Sequence, residues 1–369
     1  MILSNNLLEN HLTQAINMGL ALEAENSYNH SFKINVSDNG VQFIPFIPAG
    51  FILTDELYQK IFQIIAVAVY PYKTVLKQNS ANIVQTGIDD IHGSRAFEFP
   101  WIDGVPERLV IKNIKLYSHQ LSGSNRIPLM AHGIADINID KMTTVIISGN
   151  SGSGKSYCLT YLLEMLKPKS DLVVIDPKSD SLSRFCRDNH IDVIAPYSNR
   201  SKSDFITQIN ESLSKAVDLI HERQQLLYNN PNQSFKRFTI VIDEVMALTE
   251  GIPKQLKEIF FSLVSQIALL GRATKVGLIL VSQRFDHQTI PTSVRDQANV
   301  LIQVGIVNSR TTQFLFPDFD PTGLVIPTGQ GTGLVQIMDS DSPHQVLPLL
   351  TPTYYYNGGM SYDAIHKNT

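Results

Sequence analysis

GNSGSGKS, at residues 149–156, is the stretch that decides the fold of this 369-residue chain. It matches the pattern G-x-x-x-x-G-K-[ST], it follows the apolar, β-branched run TTVIIS at 143–148, and it precedes a predicted helix from Tyr157 to Lys167. Glycines let backbone N–H groups turn inward around phosphate oxygens, and the start of a helix adds partial positive charge. The pattern therefore predicts a nucleoside triphosphate site between a strand and a helix.

The polar residues of this loop have distinct expected roles. The lysine would reach the β- and γ-phosphates, and the hydroxyl after it would ligate Mg²⁺. A glycine-rich turn with a solvated lysine is the alternative, but the correct flanking elements make that interpretation weak. The predicted ATP-binding residues are Gly149, Asn150, Ser151, Gly152, Ser153, Gly154, Lys155 and Ser156.

Composition limits the class of protein only broadly. Hydrophobic residues make up 43% of the chain and charged residues 17%, which is ordinary for a globular protein with a substantial core. The net charge of −4 does not support a generally basic nucleic-acid coat, so DNA contact would need a local patch or a ring lumen.

The two cysteines, Cys158 and Cys186, form no disulfide framework and favour a cytoplasmic location. No membrane insertion is expected, because no signal-peptide pattern is visible and the longest apolar run, 61–70, is too short to span a bilayer.

The order of elements predicts two domains and a tail. Residues 1–120 predict a small N-terminal α+β module that includes a helix over 55–69 with Thr54 as its N-cap. Residues 121–350 alternate apolar strand runs with helical stretches, which predicts an α/β domain with a mostly parallel sheet flanked by helices. The tail would be 351–369. The expected strands of the second domain are 145–148, 172–176, 238–243, 276–282 and 300–304.

An acidic strand end supplies the expected catalytic carboxylates. The apolar run FTIVI at 238–242 is followed by Asp243 and Glu244, a Walker B pattern downstream of the phosphate loop. One carboxylate in such a pair holds the Mg²⁺ shell and the other deprotonates the attacking water. We assign the binding of Mg²⁺ to Asp243 and the deprotonation of the attacking water to Glu244. Two solvated acids at a strand end are the alternative interpretation.

Two polar positions near the strand at 276–282 are expected to couple hydrolysis to movement. Gln283 ends that strand, where its amide is able to donate to a phosphate oxygen and to accept from water. A glutamine that only caps the strand is the alternative. Arg272 precedes the strand and is a candidate arginine finger for a neighbouring subunit's site, with Arg310 as a second candidate. On sequence alone a surface arginine is nearly as good an interpretation.

Several short motifs follow one another between about 125 and 345, and their order is more specific than any one of them. They are the segment from Ile127 through Ser156, then Asp176-Pro177-Lys178, His221-Glu222-Arg223, Ile242-Asp243-Glu244, Gly271-Arg272-Ala273, Ser282-Gln283-Arg284, Asn308-Ser309-Arg310 and Gly329-Gln330-Gly331. Together they resemble the FtsK/SpoIIIE branch of the HerA-like DNA-pumping ATPases.

That resemblance implies a RecA-like P-loop motor domain that forms a hexameric ring around DNA and moves along it with ATP and Mg²⁺. Double-stranded DNA is the favoured track, and single-stranded DNA, as in conjugative coupling proteins, is the alternative. Members that act at the division septum carry membrane helices and a winged helix, and neither is expected here. The resemblance therefore favours a relative from a mobile element, in conjugative transfer or in plasmid or phage DNA processing.

Two points stay open at this stage. Lys254 and Lys257 are candidate lumen residues, although lysines on an exposed helix commonly form a solvated face. A non-motor scaffold that binds ATP and docks a relaxase or a replication protein is the alternative function. A GTPase fits less well, because the chain lacks the guanine-reading motif Asn-Lys-x-Asp.

Overall fold

A computed structural model describes residues 4–21, 31–46, 53–78, 80–91, 93–196, 201–286, 289–327, 329–338 and 346–356. The chain divides into two compact units. Unit 1 comprises 1–106, 318–327 and 344–348, and unit 2 comprises 107–317, 328–343 and 349–369. The division lies after residue 106 rather than at residue 120, and the described start of the expected tail, 351–356, belongs to unit 2.

Unit 1 is an α+β structure with an antiparallel sheet. Its elements are α1 (Asn5–Ala21), β1 (Phe32–Ser37), β2 (Gly40–Pro45), α2 (Asp55–Val69), β3 (Lys73–Val75), β4 (Ile83–Gln85) and β5 (Arg95–Asp103). The sheet has the order β1-β2-β5-β3, and β4 also pairs with β5. The predicted helix over 55–69 is confirmed, and the Thr54 hydroxyl accepts a hydrogen bond from the Leu57 N–H at 3.2 Å.

The core of unit 1 follows from helical spacing. Leu8, Leu12, Ile16 and Leu20 recur every fourth residue along α1, and all four are buried. They join the buried face of α2 and aromatic side chains of the sheet in one hydrophobic cluster. This unit carries none of the residues predicted to bind the nucleotide.

Unit 2 begins with short elements and then alternates strands with helices. The elements before the phosphate loop are β6 (Val110–Ile111), α3 (Ile114–Gln120), β7 (Arg126–Pro128) and β8 (Asp136–Asn138). Those from the loop strand onward are β9 (Thr144–Ser148), α4 (Lys155–Leu166), β10 (Ser170–Ile175), α5 (Ser181–Asp188), β11 (Asp192–Ile194), α6 (Lys202–Asn229), β12 (Arg237–Ile242), α7 (Val245–Thr249), α8 (Lys254–Thr274), β13 (Val276–Ser282), α9 (Thr292–Asp296), β14 (Val300–Val304), α10 (Ser309–Thr312), β15 (Thr332–Ile337), β16 (Val346–Leu350) and β17 (Thr353–Tyr354). Of β16, residues 346–348 are counted in unit 1 and residues 349–350 in unit 2.

The main sheet is eight-stranded, with the order β11-β10-β12-β13-β9-β14-β15-β16. Strands from β11 through β14 are parallel, and β15 is antiparallel to β14. The predicted mostly parallel sheet is confirmed, and the five expected strands match β9, β10, β12, β13 and β14 to within two residues. Strands β10 and β12 end one residue earlier than expected, so that Asp176 and Asp243 lie just beyond the sheet.

This topology collects the predicted site residues at one edge of the sheet. In a parallel sheet the carboxyl ends of the strands share an edge, and ligands bind there. The phosphate loop follows β9, Asp243 follows β12, and Gln283 follows β13. Strand β15 begins at the same edge, because the Gly305 N–H after β14 donates to Thr332 O at 2.6 Å. None of the described helices is both long enough and apolar enough to cross a membrane.

Candidate functional site

A polar cleft of about 550 Å³ lies at this edge of unit 2. Its walls come from segments that are distant in sequence. The lining residues are Arg108, Asn150, Ser151, Gly152, Gly154, Lys155, Ser156, Tyr157, Lys178, Asp180, Asp243, Glu244, Gln283, Gln330, Gly331, Thr351 and Thr353.

The phosphate loop depends on glycine at two positions for different reasons. Gly154 precedes α4 with φ of +107°, in the region where a residue with Cβ is strained. At Gly149 the reason is space, since a Cβ would lie 2.1 Å from Val304 O. The strand and helix on either side of the loop are those that the sequence predicts, although α4 starts at Lys155 rather than at Tyr157.

Lys155 is buried within this loop. Its ammonium donates to the carbonyl oxygens of Gly149 and Asn150, the latter at 3.0 Å. Burial lowers its pKa, while the nearby Glu244 carboxylate acts in the opposite direction. A cation held by loop carbonyls beside two carboxylates is suited to contact anionic phosphate oxygens.

The two acids that follow β12 are almost fully buried. Asp243 is 6% exposed and Glu244 is 4% exposed. Burial and the neighbouring Asp176 raise the pKa of Asp243 to about 7. Glu244 has φ of +47°, a left-handed conformation that costs a non-glycine residue roughly 1–2 kcal/mol. Backbone strain of this kind is typical of positions that orient a functional side chain.

Lys178 is the hydrogen-bond partner of Glu244. Its Nζ lies 2.7 Å from Glu244 Oε2. Burial opposes the charged form of Lys178, but the hydrogen bond and the charges of Glu244, Asp243 and Asp180 outweigh it and raise the pKa of the lysine. The other carboxylate oxygen, Glu244 Oε1, is buried and has no hydrogen-bond partner among the described residues.

A fully buried carboxylate fixes the loop that carries Lys178. Asp176 Oδ1 accepts from the Lys178 N–H at 2.9 Å, and Asp176 Oδ2 accepts from the N–H groups of Asp180 and Ser183. These bonds satisfy the backbone at the start of α5. Asp176 therefore supports the loop, and Lys178 is the residue of this loop that reaches Glu244.

The opposite end of the cleft has a different chemistry. Arg108 donates from Nη1 to Thr351 O at 2.7 Å and from Nη2 to Gln330 O at 2.9 Å. Gln330 Nε2 in turn donates to Gly152 O at 3.2 Å, and the Gly331 N–H donates to Ser153 O at 3.0 Å. The segment at 330–331 is thus hydrogen-bonded directly to the phosphate loop.

Tyr157 and Tyr354 attach the C-terminal segment to α4. Their rings stack with centroids 4.1 Å apart. The Tyr157 hydroxyl donates to Tyr354 O at 2.6 Å and accepts from the Tyr354 N–H at 2.8 Å, and the Tyr354 hydroxyl donates to Tyr157 O at 3.0 Å. Residues expected to form a tail therefore contribute to the wall of the cleft.

Comparison with known proteins is consistent with this geometry. A family model described as an AAA domain matches residues 140–289. The Ftsk domain-containing protein YdcQ of Bacillus subtilis (strain 168) is 23% identical over 201 residues, which cover 53% of this chain and 40% of that protein. The DNA translocase FtsK of Chlamydia muridarum (strain MoPn / Nigg) is 27% identical over 227 residues, which cover 56% and 28%. The chain thus spans less than half the length of these relatives.

The chain is thus similar in sequence to FtsK-type proteins, and residues 140–289 match an AAA-type P-loop domain. The predicted family resemblance and the predicted ATPase activity are confirmed at this level. A solved structure of the pCW3 conjugation coupling protein TcpA, in its monomer form with ATPγS, is similar with a TM-score of 0.52 and 16% identity, and covers 94% of this chain and 95% of that chain. At this identity the likeness shows the fold alone, and it supports the predicted RecA-like architecture.

Most of the predicted site residues of the ATPase domain meet in the cleft. The phosphate-loop residues in it are Asn150, Ser151, Gly152, Gly154, Lys155 and Ser156, and they are joined by the acids Asp243 and Glu244 and by Gln283. Gly149 and Ser153 do not line it. Gly149 lines a second, smaller cavity of about 270 Å³ beside the loop, which Asn150 and Gln283 share with the main cleft. Their catalytic and metal-binding roles remain predictions.

Neither candidate arginine finger of the ATPase domain lines the cleft. Arg272 is exposed near the end of α8 and precedes β13, so it lies at the sheet edge opposite the phosphate loop. Arg310 is exposed in α10 after β14, at the same edge as the loop. The candidate lumen residue Lys254 is 90% exposed at its side chain and lies 3.6 Å from Glu258, while Lys257 lies over the Phe261 ring.

Sequence reasoning missed Lys178 and Arg108 as site residues of the ATPase domain. Lys178 carried a usable signal, because it follows a predicted parallel strand and must therefore lie at the edge where the phosphate loop lies. Arg108 carried none. It reaches the cleft only through hydrogen bonds to residues more than two hundred positions away.

Proposed function

We propose that this chain hydrolyses ATP and uses the energy to move DNA, as a subunit of an oligomeric ring. The observation that carries the proposal is the single cleft lined by Lys155, Asp243, Glu244 and Gln283. It provides a phosphate-binding cation, two carboxylates with different environments and a neutral amide. Sequence similarity to a protein named DNA translocase FtsK supports the DNA part of the proposal.

The residues of the cleft fit ATP with Mg²⁺. Ser156 and Asp243 would hold the metal together with phosphate oxygens, and both line the cleft. Among the described residues no group of three or more histidine, cysteine, aspartate or glutamate side chains is arranged to hold a metal alone. A cation beside Asp243 would favour its charged form, which burial disfavours. When bound, Mg²⁺ would neutralise charge on the phosphates.

Glu244 is the proposed general base. Its Oε2 accepts from Lys178, whereas Oε1 has no partner among the described residues and is the oxygen left to accept a proton from water. Lys178 is a positioning residue, because it fixes one oxygen of the carboxylate. Gln283 is proposed to sense the γ-phosphate or the attacking water.

A neighbouring subunit is proposed to complete the site with Arg272. A ring forms through two different surfaces of each subunit, so a finger acts from a surface away from its own cleft. Arg272 meets this condition because it lies at the opposite sheet edge. Arg310, beside its own cleft, is the second candidate.

The finger is tested by mixing inactive variants. Subunits with Arg272→Ala and subunits with Lys155→Ala should each be inactive, and their mixture should regain part of the ATPase activity, because some interfaces combine an intact loop with an intact arginine. An equal mixture of Arg310→Ala subunits with Lys155→Ala subunits serves as the comparison. A mixture containing Arg272→Ala that stays inactive while the Arg310→Ala mixture recovers would assign the finger to Arg310.

The function is tested by an ATPase assay without DNA, with double-stranded DNA and with single-stranded DNA, read beside particle images of the ATP-bound sample. Stimulation by double-stranded DNA in ring-shaped particles is the expected result, with loss of all activity in Lys155→Ala. Stimulation by single-stranded DNA alone would mean that the ring moves along single-stranded rather than double-stranded DNA. An assembled sample that hydrolyses ATP but responds to neither DNA would contradict the motor and favour ATP-dependent docking of a relaxase or replication protein.

The setting of this activity is also a proposal. Cys158 and Cys186 are both free and buried, as suits a reducing cytoplasm. Transfer between cells, or processing of plasmid or phage DNA, is the proposed context.

A further inference from the structure

We propose that a wall formed by Arg108, Gln330, Gly331, Thr351 and Thr353 binds the nucleoside moiety of the nucleotide, with the Arg108 guanidinium in contact with the base or the ribose. This "Arg108 wall" lines the same cleft as the phosphate loop. The inference rests on the proposed binding of ATP and is independent of whether the chain moves DNA.

The topology fixes the direction in which the nucleotide lies. The phosphate loop follows β9, in the middle of the main sheet. Glu244 and Lys178 follow β12 and β10 on one side of β9, and they require the γ-phosphate at that side. The Arg108 wall lies on the other side, because Gln330 and Gly331 precede β15, and Thr351 follows β16 and donates its N–H to Gly331 O at 2.8 Å. The nucleoside is the part of the ligand left for that side.

The charge of the wall suits a nucleoside. Lys178 is paired with Glu244, and Lys155 lies beside the same carboxylates. Within the described part of the chain, by contrast, no carboxylate lies within ion-pair distance of Arg108. A guanidinium without an acidic partner is free to stack on an aromatic base and to donate to its acceptor atoms.

Arg108 is also held in a defined orientation. Two backbone carbonyls, those of Thr351 and Gln330, accept from its two terminal nitrogens. A guanidinium has five N–H donors in one plane, so other donors remain after these bonds form. Fixing the plane before the ligand arrives lowers the entropic cost of contact.

The wall is built onto the phosphate-loop helix rather than left as an independent loop. Strand β6, just after Arg108, pairs in parallel with β17, just after Thr351. The Thr353 N–H donates to Leu109 O at 2.8 Å, and the three hydrogen bonds between Tyr157 and Tyr354 attach β17 to α4. The position of Arg108 is therefore set relative to Ser156, one residue before Tyr157.

The test compares three ligands that share the loop but differ at the nucleoside. Dissociation constants for ATPγS, ADP and inorganic tripolyphosphate are measured by calorimetry on the full chain, on Arg108→Ala and on Arg126→Ala. Arg126 is an exposed arginine of the same unit that does not line the cleft, and it serves as the matched control. We expect Arg108→Ala to weaken ATPγS and ADP by the same factor, about tenfold, and to leave tripolyphosphate within twofold.

Other outcomes would overturn the proposal. Equal weakening of tripolyphosphate would mean that Arg108 acts through the phosphate loop, and unchanged affinity for all three ligands would remove Arg108 from the site. If Arg108→Ala does not fold, Arg108→Lys keeps the charge but not the plane and must show the same selective loss. Wild-type chain that binds neither ATPγS nor ADP would instead contradict the proposed function.

Discussion

The two ends of the nucleotide cleft are built in different ways. The Glu244 end is made of residues that directly follow parallel strands, and its contacts are between charged side chains, such as Lys178 Nζ with Glu244 Oε2 at 2.7 Å. The Arg108 end is made of segments from both ends of unit 2, and its contacts are mostly to backbone carbonyls. The first arrangement suits a group that must change its partner during a reaction. The second suits a fixed wall.

This difference separates reaction from affinity. Substitutions at the Glu244 end should change the rate of hydrolysis at saturating nucleotide, because the carboxylate acts in the transition state. Substitutions at the Arg108 end should change the affinity for the nucleotide in its ground state. This separation would be contradicted if substitutions at the Glu244 end changed only the affinity, or if substitutions at the Arg108 end changed the rate at saturating nucleotide.

The largest effect is expected for Glu244→Gln. The amide keeps the shape of the side chain but cannot take a proton from water, so hydrolysis should fall by about 10³-fold while ATP binding is retained. Single-turnover hydrolysis and nucleotide affinity are measured side by side. Glu250→Gln, an equal loss of charge at the exposed end of α7, is the matched control and should keep wild-type rates. A rate within tenfold of wild type would show that another group is the base.

A smaller effect is expected for Lys178→Met. Removing the ammonium leaves the buried Glu244 carboxylate without its hydrogen-bond donor, at a cost of about 1.5–3 kcal/mol, so kcat should fall by about 10-fold to 100-fold with little change in KM. Lys178→Arg, which restores a donor, should recover part of kcat. If KM rises and kcat does not change, Lys178 contacts ATP directly and does not position Glu244.

The Glu244 end was largely predictable from sequence because its signals are local. A phosphate loop needs only a strand, glycines and a helix in succession, and parallel strands place their following residues at one edge without any knowledge of distant contacts. The strand that ends at Ile242 therefore located Asp243 and Glu244 correctly. Only the ion pair with Lys178 needed the structure, since side-chain pairing depends on rotamers.

The Arg108 end was not predictable for the opposite reason. Arg108 and Thr351 are 243 residues apart, and Tyr157 and Tyr354 are 197 apart. No periodicity or motif in either segment predicts such a pairing. A short strand such as β17 has too few residues to show a hydrophobic periodicity. The segment 351–356 was consequently interpreted as a tail, and the first domain boundary was placed within unit 2.

The smallest effect is expected for Gly331→Ala, which tests the Arg108 end without removing a charge. Gly331 has φ of +74°, and a Cβ there would lie 2.3 Å from Thr351 Oγ1 and 3.0 Å from Arg108 Nη1. Gly251→Ala is the matched control, because Gly251 has φ of +71° but nothing within 4 Å of an added Cβ. Both variants should lose roughly 1–2 kcal/mol of folding stability to left-handed strain, measured by denaturant unfolding. Only Gly331→Ala should also weaken ADP and ATPγS, by about 3-fold to 10-fold, since it alone displaces the wall. Equal nucleotide affinities in the two variants would mean that the wall does not contact the nucleoside, and a fall in kcat at saturating ATP in Gly331→Ala would mean that the two ends of the cleft do not act separately.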